Sequence, residues 1–159
     1  MIANLLHELS LALGYDEPYD PRRIAQQPDT DRVGSKELKE IVSNTPGMAE
    51  IYSYANSDDS YKLVSPVTMG LFLEQNPVNK RDYIPTEHDC DDFSYILMGD
   101  VTRWDSDLAF GIIWGVTPSG GGHAWNWFAG TDKEIWFVEP QRDQIFKPTT
   151  LWRTSRTMI

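Results

Sequence analysis

Apolar residues recur at Ile2, Leu5, Leu6, Leu9 and Leu13, the spacing of one helix face, and Gly14 comes next as a stop. A short turn begins at Pro21 in DPRRIAQQ. Two further helices read from SKELKEIVSN, where Ser35 suits the cap, and from SPVTMGLFLEQN, where Pro66 suits the first helical position. Pro46-Gly47, Asn76-Pro77 and the acidic SDDS at 57–60 punctuate these segments, so residues 1–80 read as a helical portion that packs around the second half of the chain. From Tyr83 onward the period changes. One helix opens at Cys90, with Phe93, Ile96 and Leu97 on one face and Gly99 near its end. FGIIWGV at 110–116, SGGGHAWNWFAG and KEIWFVEP then read as strands, and the tail TLWRTSRTMI as partly frayed. A helix succeeded by antiparallel strands is an α+β order, here within a single domain over 1–159 whose core is 83–146.

Composition narrows the function classes. A chain of 159 residues with 40% apolar content can bury one sizeable core. Its 24 acidic residues against 14 basic ones give a formal charge of -10, which repels phosphate backbones and anionic lipid and argues against a nucleic-acid partner. The lone cysteine cannot form an internal disulfide, as expected of a reduced compartment. His7 and Glu8 interrupt the first apolar segment where a secretory signal would run unbroken, and no stretch approaches the ~18 apolar residues of a membrane span. The expectation is a cytoplasmic protein with no membrane contact.

Chemistry concentrates around that cysteine. In HDCDDFSY, Cys90 stands at a helix start between Asp89, Asp91 and Asp92. The helix dipole favours a thiolate there, whereas the carboxylates disfavour one. In GGGHAWNWF, alternation puts His123, Trp125 and Trp127 on one face and Ala124, Asn126 and Phe128 on the other. A general base needs an orienting group, and the next strand offers Glu139. A three-residue loop at Gly130–Asp132 would pair Ala129 with Lys133 and set Glu139 directly opposite His123; an even loop would turn it to the other face. Gln141, Asp143 and, with a bulge, Asn126 are competing third members.

The order DCDDFSY, GHAWN, FVEPQ resembles the papain-like and transglutaminase-like cysteine hydrolases. More narrowly it is similar to the C-terminal protease domain of fungal agglutinins and to the bacterial transglutaminase-like cysteine proteinases, over about residues 83–146. The resemblance implies a papain-like fold, Cys90 as nucleophile, His123 as base and then acid, and Glu139 as orienting carboxylate. It implies cleavage of an amide bond in a peptide or protein substrate through a thioester. It also implies calcium near the cysteine; of the oxygen-rich set Glu87, Asp89, Asp91 and Asp92, the direct ligands would be Asp91 and Asp92. Transglutaminase-type acyl transfer and a non-catalytic binding module that keeps the fold are the alternatives. Zinc at His88, Cys90 and His123 lacks the usual short-spaced ligand pair. Trp104, Trp114, Trp125, Trp127 and Trp136 read as core residues, with the alternative that one or two beside His123 line a substrate groove or stack on sugars.

Overall fold

The computed structural model describes residues 19–48 and 53–159; the amphipathic segment at 2–13 lies outside the described residues. A 3-10 turn at Pro21–Arg23 leads to β1 (Arg32–Gly34) and α1 (Ser35–Asn44). Then come β2 (Ser53–Ala55), β3 (Ser60–Lys62), α2 (Pro66–Gln75), a second 3-10 turn (Val78–Lys80) and α3 (Cys90–Trp104). Five strands complete the chain: β4 (Phe110–Val116), β5 (Gly122–Ala129), β6 (Ile135–Glu139), β7 (Gln144–Phe146) and β8 (Arg153–Met158). Among the described residues no helix is long and apolar enough to cross a membrane.

The centre is a six-stranded sheet in the order β2-β8-β4-β5-β6-β7, antiparallel except for the parallel β2–β8 pair; β1 and β3 form a separate antiparallel pair. This corrects the expected architecture, a papain-like α+β fold with a helical N-terminal half. Residues 32–62 contribute three strands, and the architecture is dominated by sheet, with few helices. The tail is not frayed. It supplies β8, an interior strand held by β4 on one side and β2 on the other.

Local chemistry explains the helix boundaries. Ser65 is extended and its Oγ accepts from the Thr68 N–H at 3.1 Å, while Pro66 occupies the first turn where no N–H is needed, so α2 starts there. Gly99 does not stop α3. Nothing lies near the position of a side chain there, and Val101 and Trp104 continue the buried stripe for another turn.

Each face of the sheet buries a core. On one, α2 and α3 lay Phe72, Phe93, Leu97 and Val101 against Phe128 and Val138; on the other, Leu38 and Val42 of α1 pack with Trp125, Trp127 and Phe137. Full burial of each such side chain stabilises by about 1.5–3 kcal/mol. A polar staple crosses the first core. Fully buried Asn126 donates through Nδ2 to the carbonyls of Ser94 in α3 and Gly111 in β4, both at 3.1 Å, and so fixes α3 on the sheet.

Candidate functional site

The start of α3 is built from its own acids. The Asp89 N–H donates to Asp92 Oδ2 at 3.1 Å, which closes the first turn of the helix that begins at Cys90. The Asp89 and Asp91 carboxyls share a hydrogen bond. That bond is the main reason the Asp91 carboxyl is held above its ordinary range and the Asp89 carboxyl below it, so a proton on Asp91 is donated to Asp89. Burial pushes the Cys90 thiol up, and the negative charges of Asp89 and Asp91 act in the same direction. The N–H groups of Ala124 and Asp91 oppose them and do not prevail. Burial and the two acids together outweigh these N–H groups, so the thiol is held above its ordinary range.

The His–Glu pair is assembled on β5 and β6. His123 Nε2 lies 2.7 Å from Glu139 Oε2, and the Gln141 N–H donates to Glu139 Oε1 at 3.2 Å. The hairpin register differs from expectation. Ala129 pairs with Ile135 rather than with Lys133, so the loop has five residues and Glu139 continues the ladder opposite Trp125, diagonal to His123. Five is still odd, so the face is preserved and the two side chains meet. Of the competing third members, Asn126 points to α3, Gln141 offers only its backbone, and Asp143 pairs with Asn79.

Cys90 and His123 reach the same cleft from different sides of β5. Ala124, Asn126 and Phe128 face α3, whereas His123 runs on the face of Trp125, with ring centroids 6.0 Å apart. Among the described residues no hydrogen bond joins the Cys90 sulfur to the His123 ring. The cleft between them has a volume of about 420 Å³ and is lined by Cys90, Asp91, Trp114 and His123 together with Gly115 and Ser155.

Two of these lining residues carry no distinct signal in the sequence. Trp114 is half-buried, and its ring meets Tyr95 edge-on at 5.9 Å, unlike Trp125 and Trp127, which are fully buried. Ser155 is delivered by a bulge: Trp114 pairs with Arg156 and Gly115 with Thr154, which leaves Ser155 as the extra residue. Gly115 is required at this point, because a Cβ there would collide with the Arg153 carbonyl and the Trp125 ring.

The metal expectation is altered as well. Asp92 is consumed by the helix start, and the ligand atoms that converge within 4.8 Å of one another belong to Asp89, Cys90 and Asp91. Two carboxylates suit a hard cation, so Asp89 and Asp91 are the pair that would hold one. A larger cavity of about 560 Å³ lies between α1 and the β5–β6 loop. It contains none of the expected site residues, and its rim is neutralised by Lys133–Glu37 at 2.7 Å and by Lys147 with Glu134.

The fold built around this site recurs in solved structures. The chain has the fold of a PSL1a–E64 complex (TM-score 0.72, 19% identity, 80% of this chain and 51% of that one). It also has the fold of Polyporus squamosus lectin bound to the human-type influenza-binding epitope Neu5Aca2-6Galb1-4GlcNAc (TM-score 0.69, 19% identity, 80% and 49%). It thus spans about half the length of those chains. Residues 61–145, more than half of the sequence, match the family described as Agglutinin C-terminal, and the chain belongs to that family. No curated protein matches it.

These findings correct the functional expectation. A papain-like or transglutaminase-like cysteine hydrolase acting on a peptide or protein substrate gives way to an agglutinin-family domain whose fold is shared with a glycan-bound lectin.

Proposed function

We propose that this chain is a non-catalytic binding domain and that the cleft at Cys90, Trp114 and His123 takes a neutral glycan. The observation that carries the reading is the state of the cleft's polar groups. Burial and the neighbouring acids push the Cys90 thiol toward its neutral form, and among the described residues no hydrogen bond joins it to the His123 ring, whose Nε2 meets Glu139. Such a lining offers fixed donors and acceptors, with Ser155 adding a hydroxyl, and Trp114 supplies a half-buried ring against which a sugar face stacks. The binding of a glycan by Polyporus squamosus lectin supports a saccharide ligand in general, although that epitope carries the anionic Neu5Ac. The formal charge of -10 and the acids at the rim favour an uncharged saccharide over an anionic one.

The test is calorimetric titration of the purified protein with neutral oligosaccharides, alongside Trp114→Ala. Binding that weakens roughly tenfold in the variant, about 1.4 kcal/mol, supports the reading. Absence of binding at millimolar saccharide, or equal affinity in Trp114→Ala, refutes the glycan assignment. Alkylation of Cys90 faster than that of a free thiol, and abolished by His123→Ala, refutes the non-catalytic assignment.

A further inference from the structure

On the far side of Glu139 the β6–β7 turn makes a contact that the cleft does not use. Asp143, a residue of that turn with φ of 51°, meets Asn79 of the second 3-10 turn, and Asn79 Nδ2 donates to Asp143 Oδ2. The two remaining oxygens, Asn79 Oδ1 and Asp143 Oδ1, are both buried and have no hydrogen-bond partner. A buried acceptor without a donor is costly, and here two belong to one pair of side chains. A single proton on Asp143 removes the conflict, because a carboxylic acid both accepts from an amide N–H and donates to an amide oxygen.

We infer that Asp143 and Asn79 form a proton-operated clasp: a two-bond acid–amide ring when Asp143 is protonated, and a single bond that leaves two buried oxygens without a donor when it is ionised. The clasp ties the turn carrying Glu139 to the helical layer. Gln141, which holds Glu139 Oε1, lies within the same turn, so the clasp also steadies the His123–Glu139 pair lining the cleft.

The surroundings favour the acid at mildly acidic pH. Burial pushes the Asp143 carboxyl up to about 6, and among the charged groups on the packed elements Lys80 opposes this by favouring the ionised form. Glu139 is engaged by His123, and Arg142 is exposed. Because the folded value lies above the ordinary 3.8, the stability this group adds is complete below about 3.8 and is lost as pH rises through about 6.

Asp143→Asn gives a test whose sign cannot be confused with simple damage. An amide reproduces the donor and acceptor of the protonated acid, does not titrate, and tolerates the positive φ. Melting temperatures are measured from pH 4.5 to 7.5 for the wild type and D143N, and the Asp143 carboxyl is titrated by carbon NMR in the wild type and in Lys80→Met. The wild type should lose stability across this range. D143N should lack that component of the slope and melt roughly 3 °C higher than the wild type at pH 7.5. The carboxyl should titrate near 6, and higher still in K80M. A carboxyl titrating below about 4.5 overturns the clasp, and so does a D143N variant that keeps the wild-type slope or melts below the wild type at pH 7.5.

Discussion

Asn126→Ala removes the staple between α3 and the sheet, and its cost can be worked from the contacts. Two hydrogen bonds at 3.1 Å disappear, each contributing about 1 kcal/mol net. The vacated amide leaves a small cavity in a fully buried site, a further ~1 kcal/mol. Against these stands the Asn126 Oδ1, which is buried without a partner; losing it recovers about 1 kcal/mol. The balance is about 2 kcal/mol of destabilisation, or a fall in melting temperature of roughly 4–8 °C for a chain of this size. Calorimetric melting measures the fall. Hydrogen exchange of the first turn of α3 localises it, because Ser94 lies one turn beyond Cys90 and its Oγ donates to the Cys90 carbonyl at 2.9 Å. A loss below about 1 °C, or a loss with unchanged exchange around Cys90, would show that packing alone holds α3 and that the staple is incidental.

The cleft sets three further outcomes. Cys90 should alkylate more slowly at pH 7.5 than in the urea-unfolded chain, since burial and the acids hold its proton, and Asp89→Asn should speed the reaction; equal rates in all three samples refute the electrostatic account. Gly115→Ala should lower the melting temperature by several degrees and disturb the tryptophan near-UV signal, because the methyl meets backbone and the Trp125 ring; an unchanged melt refutes the close approach. Millimolar calcium should displace the proton shared by Asp89 and Asp91 and raise the melting temperature, an effect lost in Asp91→Asn but kept in Asp92→Asn; equal melts in calcium and in chelator refute the site.

The parts of this fold that were legible in the sequence are those written in strong local signals. Ser65-Pro66 set the start of α2, the apolar runs at 110–116 and 135–139 gave strands, and the odd loop kept His123 and Glu139 on one face. The features that escaped are polar or depend on distant partners. The strand β8 reads RTSRTM, with no apolar alternation, because its inward residues are threonines: Thr157 Oγ1 accepts from Trp127 Nε1 at 2.7 Å and donates to the Ile112 carbonyl at 2.8 Å. A hydroxyl satisfied in this way fills a core position that hydropathy scores as surface. The Ser155 bulge is equally hidden, since it exists only in the mismatch between β8 and β4. The assignment of chemistry failed for another reason. Residue order and alternation put His123 and Glu139 on one face, but did not show how Cys90 approaches β5 or how burial biases the thiol.

The strand order also dictates a sequence of events during synthesis. β2, at residues 53–55, pairs within the main sheet only with β8, at 153–158, and β4, at 110–116, has β8 on one side, so β2 waits about a hundred residues of elongation for its partner and one side of β4 about forty. At ribosomal rates of ~5–20 residues per second, those edges wait several seconds or longer for the strand that closes them. Unpaired strand edges template pairing with other chains. A nascent form of this protein is therefore most vulnerable to association just before β8 emerges, and slowing translation over residues 140–150 should lower its soluble yield more than the same delay over residues 40–50, before β2 is made.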